Sequence, residues 1–324
     1  MPFASGLAAR LLMHLETAPL DSLRGSALSS LLSVERLDYL RTYRWSFDYS
    51  AKLVNDLVAT RGLLGVALLA AGEPVGYTYF VVDRHKAVIG DAYVRAPFDT
   101  PGNERLLLAA TLEAIRRLPA VRRVEAQPMM LRYPYSHPRA QRIERHYLEL
   151  HLPETNWPTE LTLPPGYRLE TWSWRHEAAA ARILFDAYSG HIDAQINDQY
   201  LAPGTAKDYL HNLLSYPGCG QFLADASFFV LNEATGTPCA FLSASEIQKG
   251  VGHVTQLCVE RPARGLGLGK AMLYASLAWF ADKKWDWATL TVTAENLPAA
   301  RLYTQAGFAE RTRLFAYVWP QWPS

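Results

Sequence analysis

The chain has 324 residues, 49% of them hydrophobic, with 32 Lys and Arg against 31 Asp and Glu. That length is enough for two domains of ordinary size, and a net charge of +1 creates no demand for nucleic acid or an anionic membrane as partner. Cys219, Cys239 and Cys258 have neither metal-site nor disulfide-framework spacing, and no apolar run approaches the roughly 20 residues of a membrane span.

In chain order, residues 1–15, with Arg10 and His14, are mildly amphipathic and lack the long apolar core of a secretion signal, so a cytoplasmic location is expected. Residues 65–69, the turn Ala70-Ala71-Gly72-Glu73-Pro74 and residues 75–82 read as a hairpin. A strand over 88–94, a helix over 103–118 and a strand over 121–127 follow. Pro153, Pro158, Pro164 and Pro165 mark a linker over 152–166, which divides the chain into domains of 1–155 and 156–324.

The second half repeats this layout. Residues 166–173 read as a strand, and 177–188 as a helix with Ala181, Leu184, Phe185 and Tyr188 along one side. Strands over 227–231 and 239–244 flank a polar, glycine-containing turn, and 253–259 reads as the central strand. Next come a helix over 268–282, a strand over 285–293, a short helix capped by Asn296 and stopped by Gly307, and a last strand over 311–318. Laying Ala96-Pro97 over Arg261-Pro262, an offset of 165 residues, brings the two hairpins into register within about three residues, which identifies an internal repeat.

Arg264-Gly265-Leu266-Gly267-Leu268-Gly269-Lys270 joins the central strand to its helix. Glycines let backbone approach a ligand, and the first N–H groups of a helix point outward without an intrahelical partner, in a dipole that favours an anion. A nucleotide-hydrolase P-loop is excluded because Lys270 is followed by Ala271 and no glycine stands at the required offset. A dinucleotide turn is excluded because the third glycine is misspaced and only about 55 residues remain for further βαβ units. A plain strand-to-helix connector and an Arg-x-x-Gly-x-Gly pyrophosphate loop remain.

Arg264, Gly267 and Gly269 satisfy that last pattern, and Asn296, Ala299, Leu302, Tyr303, Gly307 and Phe308 satisfy Asn-x-x-Ala-x-x-Leu-Tyr-x-x-x-Gly-Phe without insertion. In this order the two segments resemble the signatures of the GNAT superfamily of acetyl-CoA-dependent N-acetyltransferases. The resemblance implies an α/β (α+β) fold of two GNAT-like domains, each a mixed, mostly antiparallel sheet flanked by helices. The N-terminal copy departs where chemistry matters: Ala96-Pro-Phe-Asp-Thr-Pro-Gly-Asn-Glu104 has one glycine and adds Asp99 and Glu104, and no Gly-Phe follows Tyr147. It is expected not to bind acyl-CoA in the usual way, acting either as a scaffold or as the seat of another ligand or partner.

The resemblance further implies transfer of an acetyl group from acetyl-CoA to a primary amine by direct attack in a ternary complex, without a metal. The backbone of Leu257, Cys258 and Val259 would hold the pantetheine arm, and the amides of Arg264, Gly265, Leu266, Gly267, Leu268, Gly269 and Lys270 the pyrophosphate. Asn296 maps to the pantetheine region and Tyr303 to the general acid. The family varies its base, and Glu246, His253 or a water chain are candidates. Strand alternation points Cys258 away from Leu257 and Val259, as a packed thiol rather than a nucleophile. Tyr188, Asp193 and Asn197 are candidate acceptor-binding groups: Asp193 and Asp198 can hold an ammonium group and Tyr188 and Tyr200 can wall it, with a capped helix-loop-helix bearing solvated acids as the alternative. The acceptor, a small molecule or a peptide amine, stays unnamed, and a monomer or homodimer is expected. A non-catalytic acyl-CoA sensor, or a transferase of another acyl group, satisfies the same turn.

Overall fold

The computed structural model describes residues 15–154 and 163–323. The amphipathic reading of 1–14 and most of the linker therefore fall outside the described residues. The chain forms β1 (Leu15–Pro19), α1 (Ser29–Tyr43), α2 (Asp48–Ala59), β2 (Leu64–Ala70), β3 (Glu73–Asp83), β4 (Lys86–Val94), α3 (Pro101–Arg116), β5 (Arg123–Ala126) and β6 (Gln141–His151). Then follow β7 (Tyr167–Thr171), α4 (Glu177–Tyr188), α5 (Asp193–Ile196), α6 (Pro203–Ser215), β8 (Gln221–Phe222), β9 (Phe228–Asn232), β10 (Thr237–Gln248) and β11 (Val251–Val259). The last elements are α7 (Leu268–Asp282), β12 (Trp287–Thr293), α8 (Leu297–Gln305) and β13 (Ala309–Trp319).

Two compact units result. The first contains the described residues up to Tyr39, Phe47–Arg142 and the chain from Leu314, and the second contains Leu40–Ser46 and Ile143–Arg313. These limits do not follow the division at 155/156. Residues 317–319 of β13 pair antiparallel with β5 in the first unit, while residues 145–151 of β6 pair antiparallel with β12 in the second. Each unit thus completes its sheet with a strand from the other half of the chain. Alternation marks both segments as strands but says nothing of their partners, because pairing is settled by distant backbone.

In the first unit the strand order is β1-β2-β3-β4-β5-β13, and only β4–β5 is parallel. Phe80, Ile89, Val124 and Trp319 pack with Leu108, Leu112 and Ile115 of α3. In the second unit the order is β6-β12-β11-β10-β9-β7, with β8 beside β10, and only β11–β12 is parallel. Strand alternation gives this sheet two apolar faces. Val230, Ala240, Leu242, Val254 and Leu290 face Met272, Leu273, Leu277 and Phe280 of α7. Phe229, Leu231, Phe241 and Cys258 face Ile183 and Leu184 of α4 and Leu210 and Leu214 of α6. Burying each such large side chain contributes about 1.5–3 kcal/mol. Gly252 sets the spacing of α7, since a Cβ there would lie 2.4 Å from the Phe280 ring.

Candidate active site

β11 and β12 are paired only where Val251–Val254 meets residues 287–290. β12 then continues to Thr293 along β6, and β11 continues to Val259 along β10. Thr255 is an extra residue at this point, because Ser243 pairs with Gln256 and Ala244 with Val254. A bulge bends its strand, and here the two parallel strands part beyond it. Among the described residues no strand extends the ladder along the β12-facing edge of residues 255–259. Backbone groups on such an edge suit an extended ligand that adds as a further strand. Leu257, Cys258 and Val259 all lie on this stretch.

The glycine turn stands at the end of that edge. Gly265 and Gly267 have φ of 79° and 78°, the left-handed region, and a Cβ at either would meet nothing within 4 Å. They serve conformation. Gly269 serves packing instead, since a Cβ there would lie 3.2 Å from Leu257 Cδ2. Ala271 N–H donates the first bond of α7, to the Gly267 carbonyl at 3.0 Å. The N–H groups of Leu268, Gly269 and Lys270 precede it and have no acceptor within the helix. No side chain caps this terminus and no acid lies in its first turn. A set of donors without intrahelical acceptors at the positive end of a helix dipole suits an anion.

Arg264 and Lys270 differ in what their charges do. Arg264 donates from Nε to the Val259 carbonyl and from a terminal nitrogen to the Ala187 carbonyl, both at 3.1 Å. Its side chain therefore fastens the end of β11 to the end of α4, leaving its backbone to the turn. Lys270 lies over the Tyr274 ring at 5.3 Å and is exposed.

α8 borders the same site. Asn296 accepts the Ala299 N–H through Oδ1 at 3.3 Å, and Gly307, with φ of 94°, ends the helix while Phe308 N–H bonds the Tyr303 carbonyl at 3.0 Å. Tyr303 is 8% exposed and stands edge-on to Phe308 at 6.0 Å. Burial, with the nearby Cys258 and Asp193, pushes its phenol well above the usual range, so it holds its proton. Burial likewise raises the Cys258 thiol and keeps it from being a ready nucleophile.

On the α4–α6 face, Tyr188 donates to Gln256 Oε1 at 2.8 Å, and Gln256 Nε2 donates to the Tyr209 hydroxyl oxygen at 3.1 Å. Tyr188 stacks on Tyr200 at 4.1 Å, and Tyr209 meets Tyr200 edge-on at 5.0 Å. Thr293 donates to Asp193, whose N–H donates to His191 Nδ1 at 3.2 Å. Asn197 accepts the Gln199 N–H at 3.0 Å and caps the turn over Asp198–Leu201, so its oxygen serves the loop. Gln256, Tyr209 and Thr293 escaped the sequence reading. The signal for Gln256 was its alternation with Cys258; nothing local marks Tyr209 or Thr293.

The two sequence-derived base candidates lie at the hairpin end of β10 and β11, Glu246 on β10 and His253 on β11. His253 is opposite Thr289, bonds its Oγ1 through Nδ1 at 2.9 Å, and is enclosed by Trp45 at 5.0 Å and Tyr147 at 6.0 Å. Burial, and then the Arg145 charge, push its pKa down to about 3, so it is neutral at physiological pH with its ring enclosed. Glu246 accepts the Gly250 N–H at 3.1 Å and braces the β10–β11 hairpin. The structure thus gathers Tyr303, Cys258, Asp193 and Tyr188 together and keeps Glu246 and His253 on the closed side of the bulge. Among the described residues no group of three His, Cys, Asp or Glu is placed to hold a metal, and no helix is long and apolar enough to cross a membrane.

Parted parallel strands with an uncapped glycine turn at their mouth can take an extended ligand that ends in an anionic group. Residues 166–308 match the model of the acetyltransferase (GNAT) family. A mycothiol acetyltransferase from Tsukamurella paurometabola is 25% identical over 267 residues, 81% of this chain and 84% of the relative. A GCN5-related N-acetyltransferase from Sphaerobacter thermophilus has the same fold, with a TM-score of 0.64 and 18% identity over 94% of this chain and 95% of that one. A tandem GNAT protein from the clavulanic acid biosynthesis pathway does so at a TM-score of 0.61 and 15% identity, over 94% of this chain and 98% of its own.

Proposed function

We propose that the second unit transfers an acetyl group from acetyl-CoA to a primary amine by direct attack within a ternary complex. The observation that carries this is the uncapped, acid-free N-terminus of α7 at the end of the unpaired edge of β11. The pyrophosphate sits on the N–H groups that follow Gly265 and Gly267, and the pantetheine arm adds along Leu257–Val259 as a short extra strand. Asn296 borders that arm. This delivers the thioester toward the bulge, where Tyr303 gives its proton to the departing CoA thiolate. A general acid of this kind is worth about 10²–10⁴ in rate, and holding both reactants in place supplies about 7–11 kcal/mol of the barrier. The acceptor enters over the tyrosine wall of α4 and α6, in the cytoplasm.

Isothermal titration with acetyl-CoA, followed by a panel of amines scored by released CoA, tests the proposal. The panel includes the unacetylated form of mycothiol, because of the likeness to a mycothiol acetyltransferase. Saturable binding with acetylation of a member supports the reading. Binding without turnover marks a sensor, and absence of binding removes both. Replacing acetyl-CoA by propionyl-CoA and succinyl-CoA tests the choice of acyl group.

A further inference from the structure

We propose that Asp193 takes the proton from the acceptor amine. The inference rests on the acetyl-transfer reading and supplies the group that reading lacks. Asp193 opens α5, directly after the loop that leaves α4, and its backbone N–H is fixed on His191 Nδ1 at 3.2 Å. Its carboxylate accepts the hydroxyl of Thr293, the last residue of β12. Thr293 lies three residues past Leu290, where pairing with β11 ends, so the carboxylate is anchored on the far wall of the gap between the parted strands.

Groups on every neighbouring element face this carboxylate. Tyr188 on α4, Cys258 on β11 and Tyr303 on α8 all feel its charge. His191 Nδ1 is 3.6 Å from Oδ2, and Arg145 on β6 is the cross-strand partner of Thr293. The site therefore places a carboxylate beside a phenol held protonated, the two kinds of group that a base and an acid need. Glu246 and His253 offer no such pair, being bonded on the closed side of the bulge.

The step balances. The amine lone pair forms an N–C bond to the thioester carbonyl, and the nitrogen becomes far more acidic as it gains positive charge. Asp193 takes that proton. The C–S bond then breaks, its electron pair stays on sulfur, and Tyr303 supplies a proton to give free CoA. Asp193 later releases its proton to water and Tyr303 regains one.

The test uses the full chain with an amine found in the panel and with water, as slow acetyl-CoA hydrolysis. Asp193→Asn is expected to keep acetyl-CoA binding within about twofold while kcat falls about 10²–10⁴-fold. Asp193→Ala is expected to regain activity when formate is added, and Thr293→Val to lower kcat at unchanged acetyl-CoA binding, because the carboxylate loses the hydrogen bond that anchors it. A kcat within about threefold of wild type, or a raised amine KM at unchanged kcat, overturns the base role and makes Asp193 a binding group at most. Wild-type chain that binds acetyl-CoA yet acylates neither amine nor water overturns both the transfer reading and this one. If Asp193→Asn fails to fold, judged by circular dichroism and lost acetyl-CoA binding, Thr293→Val and formate rescue decide alone.

Discussion

The two units contain the same strand–turn–helix joint and finish it in opposite ways. In the second unit α7 begins at Gly267 with no capping side chain and no acid. In the first, Thr100 accepts the Asn103 N–H at 3.3 Å as the cap of α3, with Pro101 behind it and Glu104 in the first turn. Glu104 is buried and accepts the N–H groups of Arg132 and Tyr133, each at 3.0 Å, while Asp99 pairs with Arg132 at 2.8 Å. The helix end that could receive a phosphate is already served by the chain's own oxygens. The same topology thus leaves an uncapped, acid-free helix end in one copy and a closed structural joint in the other, and side-chain chemistry makes the difference.

The parallel extends to the bulge. In the first unit Gly90 is the extra residue between Ile89 and Asp91, and in the second it is Thr255, 165 positions later. Asp91 and Gln256 follow these bulges and each binds a tyrosine of the flanking helix, Tyr39 at 3.2 Å and Tyr188 at 2.8 Å. Around Asp91, however, Glu35 is wholly buried and bonded by Tyr77 at 2.9 Å, and Tyr93 binds Asp38 at 2.7 Å. Burial holds Asp91 up at about 6, and burial with the adjacent Asp91 raises Glu35 well above the usual carboxylate range. A buried cluster of acids in the first unit stands where the second has a cluster of tyrosines.

The strongest way to break the comparison is Gly267→Val. Its left-handed backbone disfavours a β-branched residue, and the side chain would project into the open space proposed for the pyrophosphate. Acetyl-CoA binding, measured by titration calorimetry, is expected to weaken at least about 100-fold, or about 2.7 kcal/mol. Next, Tyr303→Phe is expected to lower kcat about 10–10³-fold with acetyl-CoA affinity within about twofold, since only proton donation is lost. An unchanged kcat removes Tyr303 from the chemistry.

Asp91→Asn sharpens the contrast from the closed side. The folded chain holds the Asp91 proton more tightly than the unfolded chain, so its contribution is full below about pH 4 and is lost as pH rises through about 6. At pH 7 the variant is expected to melt a few degrees higher than wild type, for about 3 kcal/mol at most, and at pH 4 the difference should vanish. Equal melting shifts at both pH values would refute the buried-charge account. Gly102→Val should have the smallest effect, leaving acetyl-CoA binding unchanged, because the first helix end is already filled.

Most of this design was legible in the residues. Glu177–Tyr188 and Leu268–Asp282 have the limits that helical periodicity assigns them, and Asn296, Pro298 and Gly307 start and stop α8 as caps do. The glycine turn and the Asn296-to-Phe308 segment are local signals, since each depends on neighbours within a turn or two of the chain. The offset of 165 residues was legible as well, and both bulges confirm it. The same comparison hid β6. The segment around Tyr147, where the second signature is lost, is a strand over Gln141–His151.

The sequence by itself determined the fold class, the repeat, the turn and the tyrosine that borders it, because backbone conformation and helix ends are written in short stretches. Only the tertiary structure decided which strand completes each sheet, that Arg264 is spent on the Val259 and Ala187 carbonyls, and that His253 is enclosed between Trp45 and Tyr147. It also brought Asp193 to Thr293, 100 residues away in the chain. Such meetings depend on sheet register and on where the parallel strands part, and these are fixed by packing between segments far apart in sequence.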